Sequence, residues 1–247
     1  QDFERADIGT PKVEALAAHI ERVCLEKKHP GLPPLDVRAY QGDFVQMPEE
    51  LLFRCEGKPI LLMATDFHPA QAWGNVLALK FGVLAFWVGV YRGGGAGEII
   101  FYQNGYDLPC YRCIVSSRYA AYDRTASTGR GHASVSSGLP FAVDFIDAIV
   151  GHLLVGAVHF GEQSNPHAAF FERLLREKRN FIQVQLDPDY RLRGETDIFA
   201  EARTPNGLCF NTLFQEDRID SACPDCNSAL RGRGRASAAS ARCASGR

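Results

Sequence analysis

Apolar positions along the chain follow two different periods. In "DIGTPKVEALAAHIERVCLEKK" (7–28), Val13, Leu16, Ala17, Ile20, Val23 and Cys24 recur at helical spacing behind a candidate cap, Thr10, and a proline suited to the first helical position, Pro11. The spacing predicts an amphipathic helix with Cys24 in its core. "LDVRAY" (35–40) alternates as a strand does, and "PILLMATD" (59–66) is a short apolar run closed by an acid, the pattern of a strand buried on both faces of a parallel sheet. "PAQAWGNVLALKFG" (69–82) predicts a helix stopped by Gly82, and "VLAFWVGVYRGG" (83–94) a second buried strand. A strand–helix–strand unit of this kind implies a parallel pair with a right-handed crossover.

Gly93, Gly94, Gly95 and Gly97 allow a sharp turn into "EIIFYQ" (98–103), expected as an antiparallel extension of the sheet. Residues 116–138, rich in Ser, Gly and Arg, read as a mobile surface loop. Helices are expected at 141–158 and about 167–178, then a strand at 180–189 with Ile182, Val184 and Leu186 on one face. Beyond Ser228 the composition changes to Arg, Ala, Ser and Gly, so residues 229–247 are expected to be a disordered tail. The architecture implied is α/β and Rossmann-like: a mostly parallel sheet with helices on both faces and an antiparallel extension.

Composition narrows the partners. At 247 residues and 46% hydrophobic, the chain can bury a sizeable core, and a formal net charge of −2 carries no electrostatic footprint for nucleic acid or an anionic membrane. The most apolar stretch, 141–160, contains Asp144, Asp147 and His152, which argues for a buried or amphipathic helix and against a membrane span. The opening "QDFERADIG" lacks the apolar core of a secretory signal. Of the eight cysteines, four form two Cys-x-x-Cys pairs, which suits a metal site in a reducing, cytoplasmic setting better than a disulfide framework.

Three features carry candidate chemistry. Cys110 and Cys113 with Cys223 and Cys226 supply the four thiolates that tetrahedral zinc takes, leaving no position open, which is a structural role; separate redox pairs or packed core cysteines are the alternatives. Lys12 stands in the first turn of the first helix, where a cation opposes the helix dipole unless an anion such as phosphate joins it; a solvated surface lysine is the plain alternative. Asp66 ends an apolar strand, the place where open α/β sheets gather ligands and where a carboxylate suits magnesium carried by a nucleotide, although an Asp there can equally cap the next helix. His68, His132 and Arg92 lie near these features without a distinct role.

Taken in order, "DIGTPKVEALAAHI", "MATD", "VYRGGGAGEI" and "PCYRC", followed by "CPDC", resemble the ThiF/MoeB/HesA family, the bacterial relatives of ubiquitin-activating enzymes; the resemblance covers about 5–115 and resumes at the second cysteine pair. It implies adenylation of the C-terminal carboxylate of a small ubiquitin-like or sulfur-carrier protein with ATP and magnesium, in a homodimer or heterodimer, with Lys12 on the ATP phosphates, Asp66 on magnesium and the four cysteines on zinc. On this footing 1–115 is the C-terminal part of an adenylation domain and 116–228 its loop, helices and zinc-clasped end. The family's glycine-rich nucleotide loop has no counterpart upstream of Lys12, and the Gly93 cluster leads into a strand and not a helix, so the chain reads as such an enzyme without its N-terminal third, or as a degenerate partner subunit that binds the carrier without using ATP. Phe67 stands where the family commonly has a polar residue, and no cysteine lies between Cys113 and Cys209 to carry a thioester in the Ser/Gly-rich segment.

Overall fold

In the computed structural model of the chain, which describes residues 4–26, 36–52, 57–128, 140–162, 164–192, 196–202, 210–216 and 218–226, the two central apolar runs become β1 (Ile60–Met63) and β2 (Leu84–Val90). They pair in parallel, with Ile60 opposite Leu84 and Met63 opposite Trp87. The helix between them, α3 (His68–Phe81), has Pro69 in its first turn and ends where Gly82 takes φ 64° and returns its N–H to the carbonyl of Ala78. Gly93 and Gly94 then adopt φ 80° and 74°, turning the chain back into β3 (Ala96–Tyr102). Two further strands, β4 (Phe181–Gln185) and β5 (Thr212–Gln215), complete a sheet of order β1-β2-β3-β4-β5.

The α/β class and the antiparallel extension are as expected, but the balance within the sheet differs. Among the described residues only β1 and β2 run parallel; the β2–β3, β3–β4 and β4–β5 pairs are antiparallel. An apolar run reports that a strand is buried and does not report its direction. Among the described residues β1 is an edge strand, with Leu62 46% exposed.

Helices cover both faces. On one, Trp87 donates its indole N–H to the carbonyl of Gln71 in α3 (3.0 Å) and stacks on Tyr111 of α4 (Tyr111–Ile114), rings 4.9 Å apart. On the other, Phe86 and Phe101 pack against Phe171 of α7 (Pro166–Arg176), and a Cβ on Gly97 would fall 2.7 Å from Ile146 of α6 (Pro140–Val158). Asn165 caps α7, its side chain accepting from the backbone N–H groups of His167 and Ala168. Helix α6 is long and apolar enough to cross a membrane by length and composition, yet Ile146, Val150 and Leu153 face the protein interior.

Three further expectations are corrected. Residues 116–128 form a helix, α5 (Ser116–Thr128), because Arg118 and Tyr119 find partners that the Ser/Gly/Arg composition does not announce. Of the strand expected at 35–40, residues 36–40 form none: they are mostly exposed and pair with no strand among the described residues. The helix α1 (Lys12–Glu26) forms at the predicted place, but Val13 and Leu16 are 36% and 41% exposed, and Ala15 is the buried residue of its first turns. The chain divides into two compact units, Gln1–Arg54 and Cys55–Arg247, and α1 and the short helix α2 (Glu49–Leu52) belong to the first. The side chain of Cys24, residues 129–138 with His132, Cys209 and the tail 229–247 lie outside the described residues.

Candidate functional site

The two Cys-x-x-Cys pairs meet. Pro109 turns the chain into Cys110, which sits at the N-cap of α4, and the single helical turn, closed by the Ile114 N–H on the Cys110 carbonyl at 3.2 Å, carries Cys113 round to the same side. Asp220 shapes the second pair: its carboxylate accepts from the Ala222 N–H (2.8 Å) and its carbonyl from the Cys223 N–H (3.0 Å). All four sulfurs lie within 4.8 Å of one another, with Cys110–Cys113 at 3.7 Å, Cys110–Cys223 at 3.8 Å and Cys113–Cys226 at 3.5 Å. Four sulfurs about 2.3 Å from a central zinc form a tetrahedron with edges of about 3.8 Å. The donor set and its spacing therefore fit a zinc ion, and all four cysteines are free of disulfides. Hydrogen bonds from Cys110 and then Cys226 hold the Cys113 thiol well below its ordinary value, while Cys110 is pushed up; a metal takes the thiolate form.

Around the sulfurs lies a polar shell that sequence reasoning missed. Asn75 of α3 is fully buried; its Oδ1 accepts from the Tyr111 N–H (3.1 Å) and its Nδ2 donates to Asp225 Oδ2 (2.8 Å) and approaches Cys110 Sγ (3.8 Å). Arg112 pairs with Asp225 at 3.1 Å while its guanidinium covers the ring of Tyr119, 4.5 Å from its centroid. Asp225 was visible only as a spacer in "CPDC". An Asn on the apolar side of a predicted helix was the other available signal, since a buried amide requires partners.

Asp66 sits where β1 gives way to α3, at the carboxyl end of the parallel pair, and is exposed. It does not cap the helix. Phe67 occupies the cap position, and the local turn is closed by Thr65, whose Oγ1 accepts from the Phe67 N–H at 3.1 Å. Gln71 fixes the same turn from one helical turn away, its Nε2 donating to the Thr65 carbonyl at 2.5 Å. The carboxylate of Asp66 thus stands at a braced strand end and faces water. His68 is packed edge-on against Tyr119, rings 4.6 Å apart. Lys12 is the first residue of α1 and exposed, in the Gln1–Arg54 unit, whereas Asp66 and the cysteines share the other. Arg92 lies in the exposed turn between β2 and β3.

One buried ion pair also escaped the sequence reading. Glu98 of β3, 5% exposed, receives both terminal nitrogens of Arg118 from α5 and the hydroxyl of Tyr91 (2.6 Å), which in turn accepts from Gln183 Nε2 (2.7 Å). Burial opposes the Arg118 charge, but the hydrogen bonds and charge of Glu98 hold it above its ordinary value. Burial, then the Glu98 charge, pushes the Tyr91 hydroxyl well up, so it remains a donor.

No protein-family model matches the chain, and no curated protein matches it. Solved structures share its fold. The crystal structure of E. coli MccB with selenomethionine MccA superposes with a TM-score of 0.51 at 12% identity, covering 92% of this chain and 53% of that one. MccB with succinimide does so with a TM-score of 0.51 at 14% identity, covering 91% and 53%. The chain spans about half the length of the MccB chains it matches, and at these identities the likeness establishes a common mixed α/β, Rossmann-like fold.

Proposed function

We propose that this chain provides the metal-binding half of a ThiF-type adenylation site, which activates the C-terminal carboxylate of a ubiquitin-like or sulfur-carrier protein or peptide with ATP. The observation that carries the reading is the exposed Asp66 carboxylate at the braced carboxyl end of β1, joined through α3 to the four-cysteine cluster. It is supported by the order of motifs and by the fold shared with MccB, a protein crystallised with MccA. In the reaction a carboxylate oxygen of the carrier forms a bond to the α-phosphorus of ATP as the bond to pyrophosphate breaks, leaving an acyl-adenylate. The nucleophile belongs to the substrate, so the protein's contribution is placement and charge compensation. Asp66 would hold magnesium, which would supply positive charge against the phosphates, and Lys12 would oppose phosphate charge. The cysteines would hold zinc away from the reacting atoms, and the active species would be a homodimer or heterodimer.

A second reading has its own support. Among the described residues the glycine-rich turn at Gly93 joins two antiparallel strands and begins no α-helix, so it does not form the phosphate cradle of a nucleotide loop. The chain would then be a partner subunit that holds the carrier protein without using ATP.

Calorimetry with magnesium-ATP on the 247-residue chain separates the two. Binding that is lost in Asp66→Ala, with unchanged thermal stability because the side chain is exposed, is expected for the enzyme; pyrophosphate exchange, once any required partner is supplied, falls to background. Undiminished binding in Asp66→Ala would sink the role of Asp66. No binding by the parent chain would favour the partner subunit.

A further inference from the structure

The cysteine cluster and the Asp66 turn are connected by a short line of hydrogen bonds that runs from the buried Asn75–Tyr111 contact outward. Tyr111 lies between Cys110 and Cys113, inside the ring that a bound metal closes, and is fully buried. Its backbone N–H is held by Asn75, and its hydroxyl donates to Gln71 Oε1 at 2.6 Å. Gln71 passes the constraint on: its Nε2 donates to the Thr65 carbonyl, and Thr65 Oγ1 in turn accepts from the Phe67 N–H, so both peptide groups that flank Asp66 are tied. The indole of Trp87 holds the Gln71 backbone from the sheet side.

We propose that Tyr111 and Gln71 are positioning residues through which the geometry of the metal-bound cysteine cluster sets the conformation of the turn that carries Asp66. The inference rests on the proposed adenylation site for its functional meaning, and on contacts of this chain alone for its mechanics. Each link is a single directed hydrogen bond; the line starts at the buried Asn75–Tyr111 contact, passes through the part-buried Gln71 and ends at the exposed Phe67 N–H. The amide of Gln71 needs both of its ends: Oε1 accepts from Tyr111 while Nε2 donates to Thr65, an arrangement that neither Glu nor Leu reproduces. The zinc site is in this view more than a clasp, because the residue inside its chelate ring reaches the strand end on which the carboxylate stands.

The test uses the full chain loaded with zinc, then with cadmium, a larger ion that the same thiolates accept, so that the sulfur tetrahedron expands without the fold being lost. The amide resonance of Phe67 and its hydrogen-exchange rate are followed in the parent, in Tyr111→Phe and in Gln71→Leu, with Phe86 in the core as reference. In the parent, the change of metal moves the Phe67 resonance; in both variants it does not. The zinc-loaded variants keep one metal per chain and parental exchange at Phe86, while Phe67 exchanges roughly five- to tenfold faster, the effect of losing one hydrogen bond of the line. The double variant exchanges no faster than either single one, because both break the same line. A Phe67 resonance indifferent to the metal in the parent, or parental exchange at Phe67 in Tyr111→Phe, overturns the inference. Failure of the parent to bind magnesium-ATP removes the adenylation reading and leaves these measurements to decide the coupling independently.

Discussion

Arg118 and Glu98 illustrate what one residue can cost when its partner is taken away. The Glu98 carboxylate is buried under α5 and satisfied by Arg118 and Tyr91. Arg118→Met leaves a buried charge with one hydroxyl for company, and should destabilise the protein by about 3 kcal/mol, read from the urea midpoint. The double variant Glu98→Leu with Arg118→Met should recover much of that loss, since removing both charges leaves no unpaired group. At this scale the sequence was informative wherever the chemistry was local. Two cysteines three apart declare a shared turn, and an acid at the end of an apolar run declares a strand end. Glu98, Asn75 and Gln71 were illegible because their partners lie 20, 150 and 40 positions away, at Arg118, Asp225 and Tyr111. Such residues look like ordinary polar positions until the fold brings the other group to them.

Elements differ in how far their neighbours constrain them, and α6 shows both extremes within two turns. A Cβ on Gly156 would stand 2.5 Å from the carbonyl oxygen of His167, a backbone atom that cannot give way, so α6 and α7 cross as closely as they do only because that position is glycine. Gly151, on the same helix, has nothing within 4 Å of its virtual Cβ. Gly156→Ala should therefore destabilise by about 1–3 kcal/mol through overpacking, whereas Gly151→Ala should stabilise by about 0.5–1 kcal/mol through helix propensity. Thermal denaturation of the two variants should shift in opposite directions. The periodicity of 141–158 predicted this helix well, because its pattern is long. It did not foresee α5, whose polar composition is overruled by the grip of Arg118 on Glu98 and of Arg112 on Tyr119. Nor did it exclude a strand at 35–40, where alternation is present but no neighbour among the described residues offers a ladder. A strand exists by virtue of its partner, and a short alternating run names none.

For the molecule as a whole, the four cysteines join the start of α4 to the segment around Cys223 and Cys226. Zinc held well above its dissociation constant stabilises the folded form by about 3–4 kcal/mol, which in a chain of this size is roughly 6–16 °C in Tm. Stripping it with a strong chelator should lower Tm by that amount and make the four thiols reactive to a thiol reagent, while a reducing agent alone should change neither. The reverse pattern would identify disulfides. The sulfur separations of Cys110 and Cys223 from each other also span 113 positions of sequence. During synthesis at about 5–20 residues per second, the first pair leaves the ribosome roughly 6–20 s before its counterpart exists. For that interval Cys110 and Cys113 stand as an open two-thiol chelator, within reach of any soft metal ion or oxidant nearby, while Asn75, Gln71 and Trp87, already synthesised, are present to hold Tyr111 and the turn in shape. The order in which the ligands are made thus gives the nascent chain a window of vulnerability that the finished protein no longer shows.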